Sequence, residues 1–266
     1  MKIRRPVFLT LGGSLAALMF IPAGASAQQY QYPQPQPQPP LTAQPAGCPQ
    51  RGFLFVGTNG NDSFTTSPFS DVLFGLGGND VLGALGAPDC LYGQTGNDRL
   101  GGGAGNDRLF GGTGNDRIDG GAGNDRGFGE AGRDTLSGGS GNDNLSAGSG
   151  NDSANGGSGN DSLSGSSGND STLSGSSGRD TISGGSGRDR LSGGSGRDRP
   201  SGGSGNDRIS GGTGRDGISG GSGRDRISAR DNTRDTINCG SGRDRVIADS
   251  SPRDSVSSNC ESVSRG

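Results

Sequence analysis

Gly102-Gly103-Ala104-Gly105-Asn106-Asp107-Arg108-Leu109-Phe110 is one nonapeptide of a chain that repeats it, and this stretch decides the fold. Outward from Asp107, aspartates recur at a step of nine: Asp62, Asp71, Asp80, Asp89, Asp98, Asp107, Asp116, Asp125, Asp134, Asp143, Asp152, Asp161 and Asp170. After one extra residue the series resumes at Asp180, Asp189, Asp198, Asp207, Asp216 and Asp225, and two further slips give Asp235, Asp244 and Asp254. These 22 units share the grammar Gly-Gly-x-Gly-Asn/Arg-Asp-x-Leu/Ile-x. Gly184-Gly185-Ser186-Gly187-Arg188-Asp189-Arg190-Leu191 is another full copy, while the units ending at Asp71, Asp89, Asp235 and Asp254 are degenerate. A fixed period of this length is the mark of a solenoid.

Two residues after most aspartates stands one aliphatic side chain, as at Leu73, Leu100, Ile118, Leu145, Ile182 and Ile227. Gly127, Ala154 and Pro200 break the pattern, and an insertion moves Leu173 into the place that Thr172 would hold. A three-residue x-Leu/Ile-x stretch with a single inward side chain predicts a minimal strand, and the glycines predict the turns between strands. Two repeats then make one flattened coil. The predicted fold is all-β: a parallel β-roll, or β-solenoid, of about eleven two-repeat coils. At about 4.8 Å per coil it is a rod roughly 50 Å long.

Composition excludes the alternatives. Of 266 residues 58 are Gly and only 26% are hydrophobic, so no ordinary globular core can form. There is no His, which removes imidazole bases, acids and metal ligands, and no Trp. Serine is abundant, but outside the first few residues neither His nor Lys is present to activate it, and no insertion is long enough to build a cleft; the chain reads as no enzyme.

One buried aliphatic side chain per nine residues does not offset the ordering of so glycine-rich a backbone. The aspartates, one coil apart along each edge, repel as well. A hard divalent cation answers both problems. Ca²⁺ takes 6–8 oxygen ligands in flexible geometry, which carboxylates and turn carbonyls supply, whereas Zn²⁺ and Cu²⁺ lack their preferred donors here.

The nonapeptide resembles the RTX (haemolysin-type) calcium-binding repeat, over about 200 of the 266 residues. The resemblance implies a six-residue turn that binds Ca²⁺ and a three-residue strand in a parallel β-roll. Carried onto the well-kept turns, it implies multiple Ca²⁺ ions held by Asp80, Asp98, Asp107, Asp116, Asp125, Asp134, Asp143, Asp152, Asp161, Asp170, Asp180, Asp189, Asp198, Asp207, Asp216 and Asp225. The alternative to an ordered roll is a disordered Gly/Ser/Asp linker. The chain departs from the family's toxins and proteases, which usually carry no N-terminal signal.

The ends frame the repeats. Lys2, Arg4 and Arg5, an apolar run from Val7 to Ile21 and Ala25-Ser26-Ala27 predict a secretory signal peptide over 1–27, cleaved after Ala27. The run is short for a membrane span, so an uncleaved anchor is the lesser reading, and no membrane span is expected after cleavage. Alternating Pro and Gln make 28–47 an extended linker, leaving 48–266 as the roll with its caps. Four cysteines allow three pairings; proximity pairs Cys48 with Cys90 and Cys239 with Cys260, as suits a secreted, extracellular protein. Phe53, Phe55, Phe64, Phe69 and Phe74 are expected to cap one end, and Val246, Ile247, Val256 and Val263 the other.

Charge is asymmetric. Residues 28–178 hold 6 Arg and 15 acids, whereas residues 179–266 hold 15 Arg and 12 acids, because Asn before the repeat Asp gives way to Arg. Either Arg partly neutralises its own Asp column, or outward Arg ladders bind an anionic polymer such as a cell-surface glycan. No aromatic residues interleave with them, so no nucleic acid partner is expected. Outward Thr95, Asn97, Thr113 and Asn115 raise a further alternative, a water-ordering face that binds ice. The expected role is a calcium-binding structural or adhesive surface protein.

Overall fold

Each nonapeptide builds one strand and one tight turn. The computed structural model describes Cys48, residues 54–250 and residues 254–266; the expected signal segment, the Pro/Gln linker and Phe53 lie outside the described residues. The strands alternate along the chain between two sheets of twelve: the first sheet begins with Leu54–Val56 and Val72–Gly77, the second with Ser63–Thr65 and Val81–Gly83. All pairs are parallel, and in the regular coils the register is one coil of eighteen residues, as in Leu136↔Ala154 and Leu145↔Leu163. This is the predicted β-roll, and no helix occurs among the described residues. Among the described residues no helix is long and apolar enough to cross a membrane.

Two details differ from expectation. The strands run to six or seven residues, such as Arg108–Thr113 and Arg190–Gly196, rather than three. Pairing continues past the aliphatic residue through the second glycine and the residue after it, as in Gly139↔Gly157 and Ser140↔Ser158, and skips only the first glycine. Stacked glycines bend the chain without side-chain collision, so the ladder survives the bend. The turn shrinks to Gly-Asn/Arg-Asp. The coil number rises from eleven to twelve because Leu54–Val56 precedes the first aspartate and Ser262–Arg265 follows the last.

The core is a double file of inward side chains. Leu73, Leu91, Leu109, Leu145 and Leu163 come from one sheet and Leu82, Leu100, Ile118, Leu136 and Leu173 from the other, all buried. At Gly127 the gap is filled by neighbours: a Cβ there would stand 3.0 Å from Leu145 Cδ2 and 3.4 Å from Ile118 Cγ2. The ten-residue unit after Asp170 places Ser171 in the turn, where its N–H bonds the Asp152 carbonyl at 2.8 Å, and Leu173 keeps its place in the core.

Disulfides staple both ends, Cys48–Cys90 and Cys239–Cys260, which is the pairing chosen by proximity. Phe55 and Phe64 pack on the core, as does Val256, and Val246 is fully buried. Phe69 (64% exposed) and Val263 (40% exposed) do not act as core caps. Phe74 points outward instead, because it follows the inward Leu73. There it begins a ring ladder of Phe74, Tyr92, Phe110 and Phe128 on the outer face, with centroids 4.7, 4.8 and 4.9 Å apart.

Candidate metal centre

The period of eighteen gathers the aspartates into two columns, one on each edge. Asp62, Asp80, Asp98 and their successors to Asp244 stand before the strands of the second sheet; Asp71, Asp89, Asp107 and their successors to Asp254 stand before those of the first. All sixteen aspartates expected as ligands lie in these columns, each no more than 4% exposed. The structure brings them together as stacked single carboxylates. Among the described residues no three carboxylate, Cys or His side chains cluster. Most ligands of any ion here must therefore be backbone oxygens.

Each carboxylate has two unlike oxygens. Oδ1 accepts the backbone N–H of the aspartate one coil earlier: Asp98 N–H donates to Asp116 Oδ1 at 2.8 Å, and Asp107 N–H to Asp125 Oδ1 at 2.8 Å. The aspartate carbonyl in turn accepts from the next coil, as in Arg117 N–H to Asp98 O at 2.8 Å. Oδ2 is buried with no hydrogen-bond partner in every column aspartate from Asp80 to Asp244. A buried unpaired carboxylate oxygen costs free energy, and nineteen in one domain call for a common partner.

The first glycine shows what surrounds that oxygen. A Cβ on Gly102 would stand 2.5 Å from Asp107 Oδ2 and 2.6 Å from the Gly120 carbonyl oxygen of the next coil. Gly111 and Gly138 repeat the arrangement with Asp116 and Gly129, and with Asp143 and Gly156. The carboxylate and the carbonyl that sheet pairing skips thus converge, coil after coil, on a face without a side chain. Hard oxygen donors of this kind match Ca²⁺. At Ala147 a methyl occupies the equivalent place and is buried in the core.

Burial raises the carboxyl groups. Desolvation lifts Asp107 and Asp116 to about 7, against the backbone N–H bond that lowers each, and neighbouring column carboxylates raise them further. Asp143 and Asp161 reach about 6 for the same reasons. The Arg-rich half is no different: Asp198 and Asp207 reach about 6 with the same leading cause, burial. Burial leads in both halves, so the direction of these shifts does not distinguish the Arg-rich coils from the Asn-rich ones.

The switch from Asn to Arg changes the outer face of the turns. Asn97 Oδ1 accepts the N–H of Asn115, and Asn124 Oδ1 that of Asn142, at 2.7 Å, forming an outer ladder beside the buried one. Arg has no acceptor, so the ladder lapses where Arg replaces Asn, and an exposed cation takes its place. The Thr row noted in the sequence is short: Thr95 pairs with Thr113, and Thr113 with Ala131.

Residues outside the expected set close the columns. Thr58 donates to Asp62 Oδ2 through its N–H (2.6 Å) and hydroxyl (3.0 Å). Ser67 does the same for Asp71 Oδ2, at 3.3 and 3.1 Å. At the other end Glu261 accepts the Asp244 N–H at 2.8 Å, and Asp254 accepts from both Asp235 and Asp249. The signal for the first pair was present in the sequence: Thr58 and Ser67 stand where the second glycine belongs, and a hydroxyl four residues before an aspartate can reach it.

The family model for the RTX calcium-binding nonapeptide repeat (4 copies) matches residues 56–86, 92–126, 101–136, 119–154, 137–171, 172–200 and 201–233. No curated protein matches the chain. The matched segments span more than half of the sequence and coincide with the two carboxylate columns, and the chain belongs to the RTX calcium-binding repeat family.

Proposed function

We propose that the chain is an extracellular structural or surface-adhesive protein whose roll folds when it meets Ca²⁺ outside the cell. Residues 1–27 direct export and are removed, 28–47 act as a spacer, and 48–266 form the roll. Asp80, Asp98, Asp107, Asp116, Asp125, Asp134, Asp143, Asp152, Asp161, Asp170, Asp180, Asp189, Asp198, Asp207, Asp216 and Asp225 supply the carboxylate ligands, with the skipped glycine carbonyls beside them. The role is scaffolding rather than catalysis.

The observation that carries this reading is the row of buried, unpartnered Oδ2 atoms. Bound Ca²⁺ supplies the missing positive partner and offsets the repulsion along each column. Metal binding is then part of the folding free energy. Asp62 and Asp71, whose Oδ2 atoms Thr58 and Ser67 already satisfy, are left out of the ligand set, whereas Asp89, Asp235 and Asp244, with Oδ2 atoms as buried and unpartnered as those of the sixteen, meet the same criterion. The test is a Ca²⁺ titration of the chain followed by circular dichroism, with Mg²⁺ as control. A coil-to-strand transition driven by Ca²⁺ alone supports the proposal. A roll already folded in chelator, unchanged by Ca²⁺, removes it.

A further inference from the structure

The second sheet stacks four arginines in register in its last coils. Arg190 pairs with Arg208, Arg208 with Arg226, and Arg226 with Arg245, on the strands Arg190–Gly196, Arg208–Gly214, Arg226–Ala229 and Arg245–Ala248. Neighbouring strands lie about 4.8 Å apart, so the four cations form a straight row. Arg188, Arg224 and Arg243 in the adjoining turns add a second row along the same edge. All seven side chains are exposed. Among the described residues no hydrogen bond on this edge engages a guanidinium group of the seven, and the nearest acids, Asp189, Asp207, Asp225 and Asp244, are buried beneath.

Like charges at one-strand spacing are unfavourable unless something lies across them. Two grooves flank the row. One, about 470 Å³, lies on the turn side, lined by Arg188, Arg224 and Arg243, by Arg208, Arg226 and Arg245 of the row, and by Asn206 with the edges of Asp207 and Asp225. The other, about 480 Å³, lies on the sheet face, where Ser210 and Ser228 line its floor beside the same four arginines. Ser192, Ser210 and Ser228 are also in register, so a hydroxyl row runs parallel to the cation row.

We propose that this edge binds a linear acidic polysaccharide, a chain bearing carboxylate or sulfate groups at regular intervals. Guanidinium forks recognise such anions with paired hydrogen bonds. The serine hydroxyls match the hydroxyls between them. A nucleic acid is the poorer fit: every aromatic side chain among the described residues lies at Phe128 or earlier, so this edge offers no platform for base stacking. The proposal extends the surface role given above, and it uses the folded roll whether or not Ca²⁺ drives the folding.

The test measures binding of the full chain to immobilised heparin in saturating Ca²⁺, with circular dichroism of every variant. Arg190→Gln/Arg208→Gln/Arg226→Gln/Arg245→Gln removes the row. Arg179→Gln/Arg197→Gln/Arg215→Gln/Arg234→Gln removes four charges from turns on the opposite edge. At the modest strength of exposed ion pairs, the first variant is expected to bind roughly thirty-fold more weakly and the second within about three-fold of the original. Equal losses in both would reduce the effect to net charge and overturn the proposal, as would an original chain that does not bind. Duplex DNA competing as well as free heparin would overturn the choice of polysaccharide. Should the roll fold without Ca²⁺, the same series in chelator separates the two ideas: the calcium reading then fails, and this one is decided by the variants alone.

Discussion

A column aspartate is satisfied on one oxygen and not on the other, and the two halves of that carboxylate have opposite consequences. Asp116→Asn keeps an Oδ1 acceptor for the Asp98 N–H and removes the buried charge beside it. In chelator the variant is expected to be more stable than the original chain, because burial and like charges disfavour the ionised Asp116. In Ca²⁺ it is expected to be less stable, with the calcium midpoint raised at least ~2-fold through loss of a charged ligand. Urea unfolding under both conditions checks the reversal of sign; the same sign in both would remove Asp116 from the ligand set. Glycines are equally unlike one another. Gly123 has φ +134°, and a Cβ there would stand 1.5 Å from the Gly105 carbonyl oxygen. Gly123→Ala is expected to cost more than ~3 kcal/mol by chemical denaturation in Ca²⁺. Gly138→Ala is expected to cost less, since Ala147 already stands at the equivalent place with its methyl buried.

At the scale of the strand, the nine-residue period was enough to give the parallel pairing, the double-file core and both columns. The period sets which residues stack, and stacking identical residues leaves little else to decide. Strand length was not legible, because glycine has low strand propensity and no local pattern says that a Gly-Gly-x segment will pair. It pairs because the coil above presents the same backbone. The caps were half legible: cysteine spacing gave the staples, and Phe74 was misplaced although its position directly after the inward Leu73 on one strand already turns it outward. Pro200 shows the cost of breaking the pattern. It sits inward on the strand Arg199–Gly205 opposite Ile182, and pairing toward the next strand begins only at Ser201. Pro has no N–H to donate to that ladder. Pro200→Ile restores the donor and the apolar side chain of the neighbouring coils, and a gain of about 1 kcal/mol in Ca²⁺ is expected by urea denaturation. Gly127→Leu is expected to destabilise, because Leu145 and Ile118 already occupy the space.

Across the whole molecule the two columns make one titrating unit. In the folded chain without metal, burial holds Asp89, Asp107, Asp116 and Asp235 at about 7 and Asp134, Asp143, Asp161, Asp170, Asp198 and Asp207 at about 6. In the unfolded chain each stands near about 3.9. The folded state therefore binds more protons than the unfolded state between those values, and in that window metal-free stability falls as pH rises. Below about pH 4 both states are protonated and the penalty is absent; above about pH 7 it is complete. Ca²⁺ reverses the slope, because protons compete with the ion for the same carboxylates. Two melting series across pH 4 to 8, at roughly unit steps over the range of these shifts, test the pair of slopes. In chelator the roll is expected to be most stable at the acid end and to lose strand signal by neutral pH; in Ca²⁺ it is expected to be most stable at neutral pH and to weaken on acidification. Parallel slopes in the two series would mean that the buried carboxylates are not where the metal acts, and the columns would then be structural alone.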